Sequence, residues 1–185
     1  MLMASYLAAT LGHWDEALQL AAEAVELDPL NAEAYFGQGW AILLRSGHLA
    51  EAEKSMRRVL QIEPDWASAH YYLGEALMLQ GHVDAALAEF GKETLDDGQL
   101  EGSAMAYFAA GRKADSDTLL IEAIRRNGTS WASEVARIYA FRGEKERALD
   151  WLDRAYESRD EDLYDIVHSS RILKVIPAIR HFCGS

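Results

Sequence analysis

The sequence predicts an all-α protein, a solenoid of about five stacked helix-turn-helix units with a capping helix at its C-terminal end. Glycines mark the period: Gly12, Gly47, Gly81, Gly111 and Gly143 stand 35, 34, 30 and 32 residues apart. Prolines mark it again, because Pro29 and Pro64 each follow an acidic residue, in LDPLNAEA and IEPDWASA. Between these marks the apolar residues recur at steps of three and four, the spacing of one helix face. A segment of about 34 residues cannot bury such a face alone. Neighbouring units must cover one another, so the architecture is an open array.

The five units span 1–31, 32–66, 67–96, 97–128 and 129–162. The first begins inside its first helix, where Leu2, Met3, Tyr6, Leu7 and Leu11 predict an open apolar face covered by an upstream segment or by another chain. Weak self-association through this helix, or a missing upstream segment, is therefore expected. In the second unit Tyr35, Phe36, Trp40, Ile42, Leu43 and Leu44 occupy the first helix, and Leu49, Ala52, Met56, Val59 and Leu60 stripe the second until Pro64 stops it. The third repeats this pattern as HYYLGEALMLQGHVDAALAEF, residues 70–90. The fourth and fifth end without proline, on Asn127-Gly128 and on Asp160-Glu161-Asp162. Residues 163–185 leave the period, with apolar content for one or two short helices broken near Pro177. Their expected role is to cap the last unit.

Small residues recur where the two helices of a unit cross. The first-helix slot holds Ser5, Gly39, Gly74, Ala104 and Ala136, and the second-helix slot holds Ala17, Ala52, Ala86, Ser116 and Ala148. A large side chain there would force the helices apart, at roughly 1–3 kcal/mol. Two later slots in the second helix read mostly as packing positions: Ala21, Met56, Phe90, Leu120 and Leu152, then Ala24, Val59, Glu93, Ala123 and Ala155.

Composition narrows the function. Half of the 185 residues are apolar, so a packed core is expected. The net charge of −12, with six acids and no Lys or Arg in residues 1–44, excludes the basic surface that nucleic acid requires. It biases a partner toward basic segments. No apolar run approaches the ~20 residues of a membrane helix, and the opening stretch lacks the basic start of a secretion signal, so a cytoplasmic chain is expected. The lone Cys183 forms no internal disulfide and suits a reducing compartment.

Catalytic and metal chemistry find no pattern to carry them. His13, His48 and His82 each follow a turn glycine and read as turn residues on the edge of the array. Packed helices lie ~8–10 Å apart, too far for such residues to share a zinc at ~2.0–2.1 Å. His70, His168 and His181 stand in no HExxH or Cys/His pattern. The acidic run 160–162 with Asp165 lacks the glycine and terminal glutamate of a calcium loop. Gly37 and Gly39 do not complete a dinucleotide fingerprint, and no nucleophile motif occurs. Asn127-Gly128-Thr129 is explained as a helix-ending turn. No enzyme activity, metal or cofactor is expected.

The third unit carries a family resemblance. YLGEALMLQGHVDAALAEF, with its Leu-Gly pair, its turn glycine, an alanine five residues later and an aromatic four further on, resembles a tetratricopeptide repeat. Residues 104–163 are similar as well to the C-terminal tetratricopeptide region of bacterial multidomain signalling proteins. The resemblance implies a right-handed superhelix whose first helices line a concave, peptide-binding groove. Carried onto this sequence, the groove positions are Tyr6, Phe36, Trp40, Leu43, Tyr71, Glu75, Met78, Glu101, Met105, Phe108, Arg137 and Phe141. The places where chaperone-binding relatives clamp a carboxylate hold Phe36, Trp40, Tyr72 and Glu101 here, so that clamp is absent. The implied function is a scaffold or adaptor holding a protein segment with apolar anchors and a basic flank. The alternative is a regulatory module of a larger bacterial signalling enzyme or transcription regulator.

Overall fold

The computed structural model describes residues 2–45, 48–127, 130–160 and 163. Among them are ten α-helices and no strand: α1 (Leu2–Thr10), α2 (Trp14–Leu27), α3 (Ala32–Arg45), α4 (Leu49–Ile62), α5 (Ala69–Leu79), α6 (Val83–Phe90), α7 (Asp96–Ala109), α8 (Lys113–Asn127), α9 (Ala132–Phe141) and α10 (Lys145–Ser158). The capping segment expected over 163–185 lies outside the described residues apart from Leu163. The chain divides into two compact units, residues 1–94 and 95–185. In the first, α1 packs on α2, α3 on α4 and α5 on α6, while α2 meets α3 and α4 meets α5. In the second, α7 packs on α8 and α9 on α10, with α9 also against α7 and α8.

Gly47 lies outside the described residues, and the other four turn glycines have one conformation for one reason. Gly12, Gly81, Gly111 and Gly143 have φ of +75°, +87°, +75° and +75°, and a side chain at any of them would meet nothing within 4 Å. The left-handed backbone, not crowding, is what requires glycine. At each, the amide of the following residue reaches back five residues, as His13 to Ala8 (2.8 Å), His82 to Leu77 (2.9 Å), Arg112 to Tyr107 (2.8 Å) and Glu144 to Tyr139 (2.9 Å). The glycine amide reaches back three, so two of the orphan carbonyls of the helix end are satisfied in a Schellman motif. Pro29 and Pro64 act differently: the residues before them, Asp28 and Glu63, leave the helix with ψ of 89° and 92°, as a following proline demands.

The small-residue slots are the helix crossings. Ala17, Ala52, Ala86, Ser116 and Ala148 are fully buried, and Ser5 Oγ donates to the Ala17 carbonyl at 2.8 Å across the first crossing. Gly39 and Gly74 are crowded instead of strained. A methyl group on Gly39 would lie 2.7 Å from Met56 Cε, and one on Gly74 would lie 2.6 Å from Phe90 Cε1. Met56 and Phe90 thus fill the space that the glycines leave, and both are wholly buried.

Glu93 departs from the packing role that its slot predicts. It is buried, and its Oε2 accepts the Tyr71 amide at 3.0 Å at the start of α5, while Oε1 accepts the Thr94 amide at 2.8 Å. An orphan amide in the first turn needs such an acceptor. The start of α3 has a local one, Asn31 Oδ1, bonded to the Ala34 amide at 3.0 Å. At the start of α5 Ser68 makes no side-chain cap bond, and a distant carboxylate serves instead. In the second unit Asp160 Oδ2 does the same for the Ser133 amide of α9, at 3.0 Å.

Candidate functional site

In the first unit α1, α3 and α5 share a face, and the rings on it touch. Tyr6 and Trp40 have centroids 5.9 Å apart, joining α1 to α3. Gly37 lets the two helices approach, since a methyl there would stand 3.3 Å from the Tyr6 hydroxyl. Phe36 meets Tyr72 edge-on at 5.5 Å, joining α3 to α5, and lies 5.7 Å from Trp66. Tyr72 in turn meets Tyr71 at 5.1 Å, and Tyr71 leans on Phe90 at 5.9 Å. Contacts of this geometry contribute about 0.5–1.5 kcal/mol each beyond burial. Burial, and then the charge of Glu33, push the Tyr6 phenol up to about 12. An exposed acid therefore stands at the edge of the aromatic row.

In the second unit the corresponding side chains pair with one another. Glu101 of α7 and Arg137 of α9 form an ion pair at 2.9 Å. Phe108 and Phe141 meet edge-on at 6.3 Å. The buried guanidinium of Arg142 lies 5.3 Å over the Phe108 ring, forms an ion pair with Glu144 at 2.9 Å and reaches Asp117 of α8.

Burial separates the twelve predicted groove residues into two groups. Tyr6, Phe36, Glu75, Phe108, Arg137 and Phe141 are partly exposed. Trp40, Leu43, Tyr71, Met78, Glu101 and Met105 are each under one-tenth exposed. Trp40 is covered by Tyr6 of the preceding first helix, and Tyr71 by its neighbour Tyr72 and by Phe90 of α6. Glu101 carries the charge in this buried group, and Arg137 answers it. Tyr72 and Glu33 belong to the surface and were outside the predicted set. The doublet Tyr71-Tyr72 was the available signal, since one ring of an adjacent pair must turn toward a different neighbour.

A tetratricopeptide repeat model matches residues 2–65, 42–99 and 102–162. The chain belongs to the tetratricopeptide repeat family. Solved tetratricopeptide structures with similar folds include TTC0263 of Thermus thermophilus, 20% identical with a TM-score of 0.67, covering 93% of this chain and 97% of that one. YrrB, described as a tetratricopeptide repeat protein with an unusual peptide-binding site, is 20% identical with a TM-score of 0.56 over 86% of each chain. PilF of Pseudomonas aeruginosa is 17% identical with a TM-score of 0.62, covering 100% of this chain and 91% of that one. Among curated proteins, the O-mannosyl-transferase Tmtc2 of Drosophila melanogaster is 34% identical over 70 residues. That match spans 38% of this tetratricopeptide chain and 8% of the transferase, so the likeness covers a small part of that protein.

The histidines of the repeat turns sit at helix starts, His13, His48 and His82 preceding α2, α4 and α6. His13 and His48 each approach a glutamate one turn on, Glu16 at 3.5 Å and Glu51 at 3.7 Å. Among the described residues no group of three or more His, Cys, Asp or Glu is placed to hold a metal, and no helix is long and apolar enough to cross a membrane.

Proposed function

We propose that this tetratricopeptide chain is a protein-interaction module that holds a segment of another protein on the face shared by α1, α3 and α5. The observation that carries the reading is the row of partly exposed rings Tyr6, Phe36 and Tyr72, bordered by exposed Glu33 and partly exposed Glu75. Rings of this kind accept aliphatic or aromatic anchors, and the acids favour Lys or Arg beside those anchors. The similar fold of a repeat protein with an unusual peptide-binding site supports the class of ligand. The buried members of the predicted set, Trp40 and Tyr71 among them, act in this reading as the support beneath the contact surface.

Selection of peptides from a displayed random library on the immobilised chain tests the reading. Selected sequences should share an apolar anchor with an adjacent basic residue. Tyr72→Ala should weaken them by roughly 1–2 kcal/mol, as truncation of an interface aromatic does. Glu75→Lys should slow association and reduce its salt dependence. Selected peptides that bind both folded variants as tightly as the parent would place the contact on another surface.

A further inference from the structure

α4 gathers the positive charge of the first unit. Residues 1–94 hold fourteen Asp and Glu against five Lys and Arg, and three of those five, Lys54, Arg57 and Arg58, fall within five consecutive positions of this helix. All three line a recess of about 920 Å³ whose other wall includes Val25 of α2 and Tyr35 of α3. Clefts of roughly this size hold ligands. The nearby carboxylates answer only the middle cation. Arg57 pairs with Glu53 at 2.8 Å, and the other oxygen of Glu53 accepts the Gln80 amide at 2.8 Å. Glu51, also on the recess, stands 3.7 Å from His48. Among the described residues no carboxylate comes within ion-pair distance of Lys54 or Arg58.

Lys54 and Arg58 stand four residues apart, neighbours on one face of the helix. Neutral groups hold the Arg58 guanidinium: Nη1 donates to Gln61 and Nη2 to the Pro29 carbonyl, each at 3.3 Å, and its carbon lies 5.7 Å from the centre of the Tyr35 ring. These contacts fix the group and leave its charge uncancelled. A fixed guanidinium beside a free ammonium suits a carboxylate. Val25 and Tyr35, both partly exposed, add an apolar wall to the same recess. A peptide carries an acid and an apolar group together, which a free inorganic anion does not. We propose that this recess binds an acidic segment of a partner protein, with an Asp or Glu side chain on Lys54 and Arg58 and an adjacent apolar residue on Val25 and Tyr35. The recess shares no lining residue with the row of rings, so it holds or falls independently of the proposed peptide face.

The test titrates a labelled synthetic peptide, in which Glu-Leu pairs are spaced by Ser and Gly, into the full chain at low salt, read by fluorescence anisotropy. The peptide should bind, and its Gln-for-Glu counterpart should bind at least roughly tenfold more weakly. Lys54→Ala/Arg58→Ala should weaken the acidic peptide by at least roughly tenfold as well. Glu51→Gln should strengthen it, because an acid that repels the ligand is then gone. Tyr72→Ala should leave it unchanged, which separates this surface from the row of rings. Should the double variant fail to fold, Lys54→Gln, at an exposed side chain, should give a smaller loss at low salt and converge with the parent at high salt. Failure of the acidic peptide to bind the parent, or binding indifferent to both sets of changes, overturns the proposal. So does displacement of the peptide by an equal concentration of inorganic phosphate, because the ligand is then a free anion.

Discussion

Glu101 on α7 and Arg137 on α9 are bound at 2.9 Å, the carboxylate almost wholly buried and the guanidinium one-fifth exposed. Each makes the other's burial tolerable, so the pair is better judged by removing one member than by counting it as a gain. Arg137→Leu should destabilise the chain by about 2–3 kcal/mol, below the ~3–5 kcal/mol of a fully buried pair because water reaches the arginine. Glu101→Leu/Arg137→Leu should recover most of that loss. Urea titration of the two variants decides it, and a double variant as unstable as the single one refutes the account.

Two glycines of the third hairpin should fail for different reasons. Gly74→Ala drives a methyl into Phe90 and should destabilise by roughly 1–3 kcal/mol. Gly81→Ala meets open space but must hold φ near +87°, at roughly 1–2 kcal/mol. Adding Phe90→Leu should offset part of the first loss and none of the second. Thermal melts of the two double variants read the difference as coupling energies, and equal coupling in both would reject the distinction.

Removal of the Glu93 carboxylate should loosen the start of α5. Glu93→Ala is expected to lower stability by about 0.5–2 kcal/mol, as loss of a helix cap does, and to accelerate hydrogen exchange at the Tyr71 amide. Glu93→Gln keeps an acceptor oxygen and should lose less. An unchanged exchange rate at Tyr71 in the alanine variant would mean that the bond contributes nothing.

Acid should weaken the contact between α5 and α6. Burial alone pushes the Glu89 carboxyl up, but hydrogen bonds from Lys92 and His70 outweigh it and hold the group below its ordinary value. A value lowered by folding gives stability that is full above the unfolded carboxyl's ~4.3 and is lost as pH falls through the folded value. The advantage of the parent over Glu89→Gln should therefore be present at neutral pH and shrink on acidification below that point. Urea midpoints measured across the acid range give the answer, and a constant difference would exclude the linkage.

The fold was legible because its determinants are local and recur. A glycine that ends a helix left-handed and an alanine at a crossing leave the same mark each time, so Gly12, Gly81, Gly111 and Gly143 and the slot residues could be placed from their spacing alone. The site was legible only to the level of which helices form it. Helix periodicity assigns Trp40 and Tyr71 to a face, but their burial depends on their neighbours: Tyr6 of α1 covers Trp40 across the close approach at Gly37, and Tyr72 and Phe90 cover Tyr71. Glu93 left a trace, as the single acid in a series otherwise filled by Ala24, Val59, Ala123 and Ala155. Arg142 left none, since its place beside a turn glycine is one where an exposed arginine would be unremarked.

The brevity of α6 bears on how such a chain can be rebuilt. It has 8 residues where α2 and α4 have 14, and the acceptor for the Tyr71 amide comes from Glu93 in the segment beyond its end. A consensus averaged over the units would put Ala or Val at that position and erase the acid as noise. Shuffled or duplicated copies of the third hairpin would keep their register only if cut after residue 93. Its individuality is therefore inherited through one carboxylate lying outside either of its helices.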